Sequence, residues 1–361
     1  MENRLKFGII GCGWVGFGKH LPSLAKQPDA EITGCCDVIR ERAAQAAKEF
    51  GTNAKVYTDY REMLKDESID VVHVVTPNMT HRELTVAALE AGKHVLCEKP
   101  MAVLTEDARA MLTAAKKSGK KLTIGHQWRF RPACVYLREL TLQDYFGEIY
   151  FAKSHSIRRR GVPTWGDYMI KARNGGGCLA DGGGHSLDLT LWVMNNYELA
   201  SVTATMYRKL WDQPEGNMWG SWDPKKFAVE DAAFGFITMK NGATIIEECS
   251  WALNMAEPGV GDMKTTICGT KAGADMDDPG GLKINTVEAG KQVIKHPTLA
   301  FPPIPSVYVM PPAGEYEARQ WIDCIKNDTD PIVLPEQAYV VTQIIDAMYK
   351  SAESGKTIYF K

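Results

Sequence analysis

"LKFGIIGCGWVG", residues 5–16, is the stretch that decides the fold. Its first six residues are an apolar run of strand length, and glycines follow at 11, 13 and 16. The spacing Gly-x-Gly-x-x-Gly is weak alone and becomes informative when it joins a strand to a helix. The helix signal is there: "GKHLPSLAKQ" (18–27) carries apolar residues at helical spacing. In such a turn Gly11 permits the reversal, Gly13 lets the backbone approach a pyrophosphate, and Gly16 lets helix and strand pack closely. Trp14 and Val15 complete the turn. The helix start offers unpaired N–H groups and the positive end of its dipole to phosphate. The bland alternative is a glycine-rich turn in some other βαβ unit.

Outward from this turn the same alternation repeats. "AEITGCCD" (30–37), "IDVVHVVTP" (69–77), "KHVLCEKP" (93–100) and "KLTIGHQ" (121–127) read as strands. "RERAAQAAKEF" (40–50), "HRELTVAALEAG" (81–92) and "TEDARAMLTAAKKSGK" (105–120), with Thr105 as its cap, read as helices. Fully apolar strands alternating with helices predict a parallel sheet covered on both faces, a Rossmann dinucleotide-binding domain over residues 1–126. Asp37 ends the second strand 21 residues after Gly16, near the roughly 20 expected for a carboxylate that bonds the adenosine ribose. A carboxylate there repels a 2′-phosphate, which favours NAD over NADP, although Arg40 and Arg42 are close enough in sequence to receive one. Thr76, Pro77 and Asn78 end the third of these strands, at the carboxyl edge where open α/β sheets bind ligands. His81 reads either as a cofactor contact or as an ordinary helix-start residue.

The pattern changes after about residue 127. "EIYFAKSHSIRRR" (148–160), "ASVTATMYRKL" (200–210), "DAAFGFITMK" (231–240) and "ATIIEECSWAL" (243–253) are longer and divided by turns, with Lys240-Asn241-Gly242 reading as a hairpin. Residues 127–361 are therefore expected to form an α+β domain on an open, mostly antiparallel sheet. "GEYEARQWIDCIKN" (314–327) and "PEQAYVVTQIIDAMYKSAESG" (335–355) are its late helices, and "FPPIPSVYVMPPAG" (301–314) reads as a connector.

Bulk properties narrow the function. The 361 residues carry a formal charge of −2, with 24% charged side chains. Nothing there attracts nucleic acid or an anionic membrane over a wide surface. No stretch reaches the roughly 20 apolar residues of a membrane span, and the chain enters a strand at once, leaving no room for a signal peptide. Nine scattered cysteines with no Cys-x-x-Cys read as core residues of a cytoplasmic protein without a metal site.

Two further motifs carry chemistry. Glu98-Lys99-Pro100 ends a parallel strand, so Lys99 would face the same crevice as the cofactor, beside the nicotinamide. Pro100 cannot continue the ladder and fixes the turn, and its bond to Lys99 is one that can be cis. A surface lysine at a strand end is the plain alternative. "NGGGCLADGGGHSLDLTLW" (174–192) joins two glycine triplets to Asp181 and His185. Glycines at a helix start cost roughly 1 kcal/mol each against alanine, so something must approach that backbone closely. The i, i+4 spacing puts both side chains on one helical face, with Asp188 and Trp192 extending the row. A histidine beside a carboxylate suits proton acceptance near neutral pH; a capping aspartate with a core histidine is the alternative.

With "GIIGCGWVG", "TPNMTHRELTVAALEAGKHVLCEKPMA", "GHQWRFRPA" and "GGGCLADGGGHSLDLTLW" in this order, the chain resembles the Gfo/Idh/MocA oxidoreductases. The resemblance implies oxidation or reduction of a sugar-like alcohol. It implies that Lys99 polarises the reacting oxygen, His185 takes the hydroxyl proton, Asp181 orients the substrate, and Glu98 lies near the nicotinamide ribose. Gln127 stands where many relatives have asparagine, a change of one amide for another.

"SIRRRGVPTWGDYMIKARNGGG" (156–177) would cover the pocket and offers Arg158, Trp165, Tyr168 and Lys171; "WGSWDPKKFAVEDAAFGF" (219–236) adds Trp222, Glu230 and Asp231. Aromatic faces suit pyranose C–H faces, although the same rings also serve to pack a loop. Acids with aromatics favour a neutral polyol, and the two segments resemble glycoside-oxidising family members, including those acting on the glucosyl 3-hydroxyl. Inositol or free-sugar dehydrogenation, NAD-assisted glycoside cleavage and a non-catalytic NAD sensor are the rivals. An open sheet needs covering, which predicts a homo-oligomer through the C-terminal sheet.

Overall fold

The computed structural model describes residues 4–256, 263–277, 281–299 and 313–361. The connector expected at 301–314 lies, up to residue 312, outside the described residues. Two compact units partition the chain: Met1–Phe130 with Pro303–Tyr339, and Arg131–Pro302 with Val340–Lys361.

In the first unit, β1 (Leu5–Ile10), β2 (Ala30–Cys36), β3 (Lys55–Tyr57), β4 (Val71–Val74), β5 (His94–Cys97) and β6 (Leu122–Ile124) form one parallel sheet, in the order β3-β2-β1-β4-β5-β6. Strand order reverses beside β1, which puts the switch point at the turn after Ile10. Phe7, Ile9, Val71, Val72, Val95 and Leu96 are wholly buried, as a sheet covered on both faces requires. The helices α1 (Leu21–Ala25), α2 (Arg40–Phe50), α3 (Tyr60–Leu64), α4 (His81–Glu90) and α5 (Thr105–Ser118) supply the cover. The last of these begins at Thr105 itself, with Leu104 at the preceding position and no capping side chain, so Thr105 is the first helical residue and not the cap. From the far end of the chain, α9 (Ala313–Lys326) joins this unit; its Trp321 and Ile322 enter the core with Phe7 and Leu24.

Among the described residues of the second unit, nine strands form a mixed sheet. They are β7 (Ile149–Ile157), β8 (Leu199–Tyr207), β9 (Ala232–Met239), β10 (Thr244–Ser250), β11 (Lys264–Gly269), β12 (Gly273–Asp277), β13 (Gly281–Glu288), β14 (Lys291–Lys295) and β15 (Ile358–Tyr359), ordered β14-β13-β12-β11-β7-β10-β9-β8-β15. All pairings are antiparallel except β7 with β10. The hairpin turns at Asn241-Gly242, with Gly242 at φ +88°. Among its helices are α6 (Pro132–Leu142), α7 (Lys171–Asn174) and α8 (Gly184–Met194), while α10 (Pro335–Ser354) straddles the division. Helix α8 packs on β7 and β11, covering one face. The opposite face carries the cross-strand row Thr203, Phe236, Ile246, Lys153, Thr266, where Phe236 is 51% exposed. No described helix is long and apolar enough to cross a membrane.

Candidate active site

The glycine turn has the shape its sequence predicts. Gly11 sits at φ +99°, and a Cβ there would meet the Val75 carbonyl oxygen at 2.1 Å, so no other residue fits. A Cβ on Gly13 would meet nothing within 4 Å; that open side is the room a pyrophosphate needs. Gly16 opens a π-turn, Gly16–His20, which follows Val15 and continues into α1. Trp14 is 77% exposed. The Asp37 carboxylate accepts the N–H groups of Cys12 (2.9 Å) and Ile39 (2.8 Å), which ties the acid to the turn it was expected to serve. These residues fit a dinucleotide.

Thr76, Pro77 and Asn78 leave the end of β4, as expected, and are half-buried. His81 departs from the cofactor contact expected of it. It is fully buried, and its ring nitrogens lie 2.8 Å from the Pro100 carbonyl and 2.9 Å from the Thr76 carbonyl. Burial pushes its pKa down. His81 therefore braces the two strand-end loops instead of facing a ligand. The Lys99–Pro100 bond is cis, Lys99 is half-buried, and Gln127 opens a short 3-10 turn.

Glu98 sits in a buried polar chain that the sequence gave no sign of. Its Oε1 accepts from Lys19 Nζ and His20 Nε2, both at 2.8 Å, and its Oε2 accepts the Lys99 N–H at 3.0 Å. Lys19 also pairs with Glu317 on α9 at 2.8 Å. Nδ1 of His20 and Nδ1 of His73 are 3.1 Å apart. Burial holds the His73 pKa well below its ordinary value, so a neutral His73 donating to His20, which in turn donates to Glu98, accounts for both links. Burial alone would raise the Glu98 carboxyl; the Lys19 ammonium and His20 outweigh it and hold it well below the usual range.

In the second unit a π-turn, Leu179–Gly183, carries Asp181 and runs into α8, whose second residue is His185. Asp188 and Trp192 do not continue a functional row: both are buried in the unit, and Arg138 lies over the Trp192 ring. The glycine triplets answer to the protein's own packing. A Cβ on Gly177 would meet the Glu230 carbonyl oxygen at 2.1 Å, and one on Gly182 the Ser156 hydroxyl at 2.2 Å.

Asp181 accepts the indole N–H of Trp251 at 3.0 Å, and Arg158 Nη1 lies 3.6 Å from the same oxygen. Parallel pairing explains the meeting: Ile157 at the end of β7 lies opposite Ser250 at the end of β10, so the residues that follow emerge side by side. Arg158 also stands over the Trp219 ring at 5.1 Å. Trp165 meets Trp219 edge-on at 4.8 Å, and Tyr168 stands between Trp165 (6.3 Å) and Trp251 (6.4 Å). Trp251 and Trp219 are the residues sequence reasoning missed. Trp251 hides in an apolar strand run, where it reads as core.

Glu230 and Lys171 do not join this cluster. The Glu230 carboxylate, expected to contact substrate, is buried and accepts the N–H groups of Gly177 (2.9 Å) and Leu179 (3.1 Å) and the Tyr349 hydroxyl (2.8 Å). It anchors the start of the Asp181 segment, and burial pushes its pKa up. Lys171 is exposed and lines, with Glu230, Arg208 and Tyr349, a cavity of about 230 Å³ whose walls include neither Asp181 nor His185. Trp222 and Asp231 are also structural: the Trp222 indole donates to the Trp211 carbonyl at 2.7 Å, and Asp231 accepts the Leu210 N–H at 2.6 Å.

A glycine-turn Rossmann sheet in one unit and, in the other, the Asp181 carboxylate held among aromatic rings define the class, a nucleotide-dependent oxidoreductase. The chain belongs to the Gfo/Idh/MocA family: residues 5–126 match its model "Oxidoreductase family, NAD-binding Rossmann fold" and residues 138–360 its "Oxidoreductase family, C-terminal alpha/beta domain". NAD is therefore its cofactor. The D-glucoside 3-dehydrogenase of Escherichia coli (strain K12) is 34% identical over 99% of this chain and 98% of its own length. The D-apiose dehydrogenase of Paraburkholderia graminis is 26% identical over 99% and 90%. Among solved structures, a levoglucosan dehydrogenase complexed with NADH and levoglucosan has the same fold, with a TM-score of 0.84 at 23% identity, covering 99% of each chain.

Proposed function

We propose that this oxidoreductase oxidises a secondary ring hydroxyl of a glucose-like pyranoside, with C3 of a glucoside first, using NAD in preference to NADP. The observation that carries the reading is the Asp181 carboxylate, fixed by the Trp251 indole beside Arg158 and bordered by Trp165, Tyr168 and Trp219. A fixed carboxylate accepts sugar hydroxyls, and indole and phenol faces take C–H faces. The full-length likeness to a D-glucoside 3-dehydrogenase supports the substrate class, and the Asp37 carboxylate supports the choice of NAD.

When bound, NAD supplies the two-electron acceptor that turns a secondary alcohol into a ketone. His185 accepts the hydroxyl proton, and the Lys99 ammonium stabilises the negative charge that builds on the substrate oxygen. Asp181 and Arg158 hold the neighbouring hydroxyls and so select the carbon presented for oxidation. The open face of the second sheet, with Phe236 and Ile246 at its centre, supports a homo-oligomer through that face. Nine free cysteines, eight of them buried, support a reducing, cytoplasmic setting.

The test is NADH formation from a panel of methyl glucosides, 3-deoxy-glucoside, inositols and free sugars, with the product ketone located by NMR. Glucoside turnover that is lost with the 3-deoxy compound supports the assignment. Turnover confined to inositols, or aglycone release without net NADH, overturns it.

A further inference from the structure

We propose that Glu98 is a positioning residue for Lys99 and not a ligand of the cofactor. The inference rests on the assignment of Lys99 to the reacting oxygen. Oε1 of Glu98 is occupied by two donors, Lys19 Nζ and His20 Nε2, and Oε2 takes the backbone N–H of Lys99 itself. The residue is 8% exposed, and its carboxylate rests against Gly125, where a Cβ would come within 2.9 Å of Oε1. Each partner is braced in turn: Lys19 by Glu317 on α9, and His20 by His73 on β4. The chain Glu317–Lys19–Glu98–His20–His73 therefore ties three elements to the end of β5. Lys19 and His20 close the π-turn that Gly16 opens. Lysine has four side-chain torsions, so a fixed backbone amide sets the point from which the ammonium reaches and narrows the positions it can take before substrate arrives.

Glu98→Gln and Lys19→Met test this in the full-length protein, with NAD affinity read by fluorescence titration and kcat and KM read on the glucoside. Glu98→Gln is near-isosteric and leaves the Lys19–Glu317 pair in place, so it folds even if Lys19→Met does not. It turns one acceptor into a donor, so either the Lys99 N–H or the Lys19–His20 pair loses its partner. The expected result is a kcat lowered by about tenfold to a hundredfold, with the NAD Kd and the glucoside KM unchanged within about twofold. An NAD Kd weakened by about tenfold with kcat preserved would make Glu98 a cofactor ligand and overturn the inference; so would unchanged kinetics throughout. A wild type that oxidises no sugar defeats the functional reading instead, and the NAD titration of Glu98→Gln still separates ligand from brace.

Discussion

Two helix starts in this molecule are built alike and charged differently. In each, a glycine-rich turn enters a π-turn, Gly16–His20 in the first unit and Leu179–Gly183 in the second, and a buried glutamate holds the segment. Glu98 is held by the Lys19 ammonium with the His20 ring and the Lys99 N–H, Glu230 by backbone N–H groups and a tyrosine hydroxyl. The consequence is opposite electrostatics. Lys19 and His20 outweigh burial and hold the Glu98 pKa well down, whereas burial wins at Glu230 and raises it. A charged brace fixes geometry firmly and fails badly when one partner is lost. A brace of neutral donors costs less to disturb. π-turns recur at functional sites because the extra residue re-aims the side chains around it, and here each adjoins the groups assigned to the chemistry.

The largest expected effect is on what the two braces present. His185→Ala should lower kcat by about 10² to 10⁴ while NAD still binds, as single-turnover and titration measurements would show; full activity would remove the second helix start from the chemistry. Next comes stability. Lys19→Met strands two buried carboxylates and should cost about 3–5 kcal/mol in urea unfolding, against about 1–2 kcal/mol for Glu230→Gln. Equal costs would erase the contrast drawn above. Trp251→Phe removes one N–H from Asp181 and should lower kcat/KM about tenfold, near the 1.5 kcal/mol of a hydrogen bond to a charged group, without altering NAD affinity.

The smallest effect is the pH dependence. Glu98 titrates below its ordinary 4.5 in the native state, so the unfolded chain binds more protons there. Its contribution is full above pH 4.5 and is lost as pH falls toward the native value. Glu230 titrates above 4.5, so its contribution is greatest in acid and is lost as pH rises through the native value. Urea midpoints measured against pH should therefore show a shallower acid limb for Glu98→Gln and a flatter slope above pH 4.5 for Glu230→Gln. The same slope in both variants would contradict the opposed shifts.

Much of this was legible in advance, and the failures have physical causes. The five strands β1, β2, β4, β5 and β6 announce themselves because burial on both faces demands continuous apolar runs. The edge strand β3 escapes: it is three residues long and none of them is buried. The strands β11 to β13 escape because their few buried residues alternate with polar ones or glycine, a faint signal over so few residues, and β14 escapes because none of its residues is buried. The glycine triplets correctly signalled close approach, but not that Ser156 and Glu230 are what approaches. Sequence alone leaves His81 open as a cofactor contact and makes Glu230 a candidate substrate contact, because exposure is invisible in a sequence.

By itself, then, the sequence determined the parallel sheet, the glycine turn with Asp37 at the end of the next strand, and the residues Lys99, Asp181 and His185 as the ones to watch. These depend on local rules: periodicity, backbone freedom and the ends of strands. Only the tertiary structure decided that Trp251 reaches Asp181, that Lys19 and His20 clasp Glu98, and that Glu230 faces inward. Those contacts join residues 70, 79 and 53 positions apart, and which side chains meet over such distances is set by strand order and packing, which no short window of residues contains.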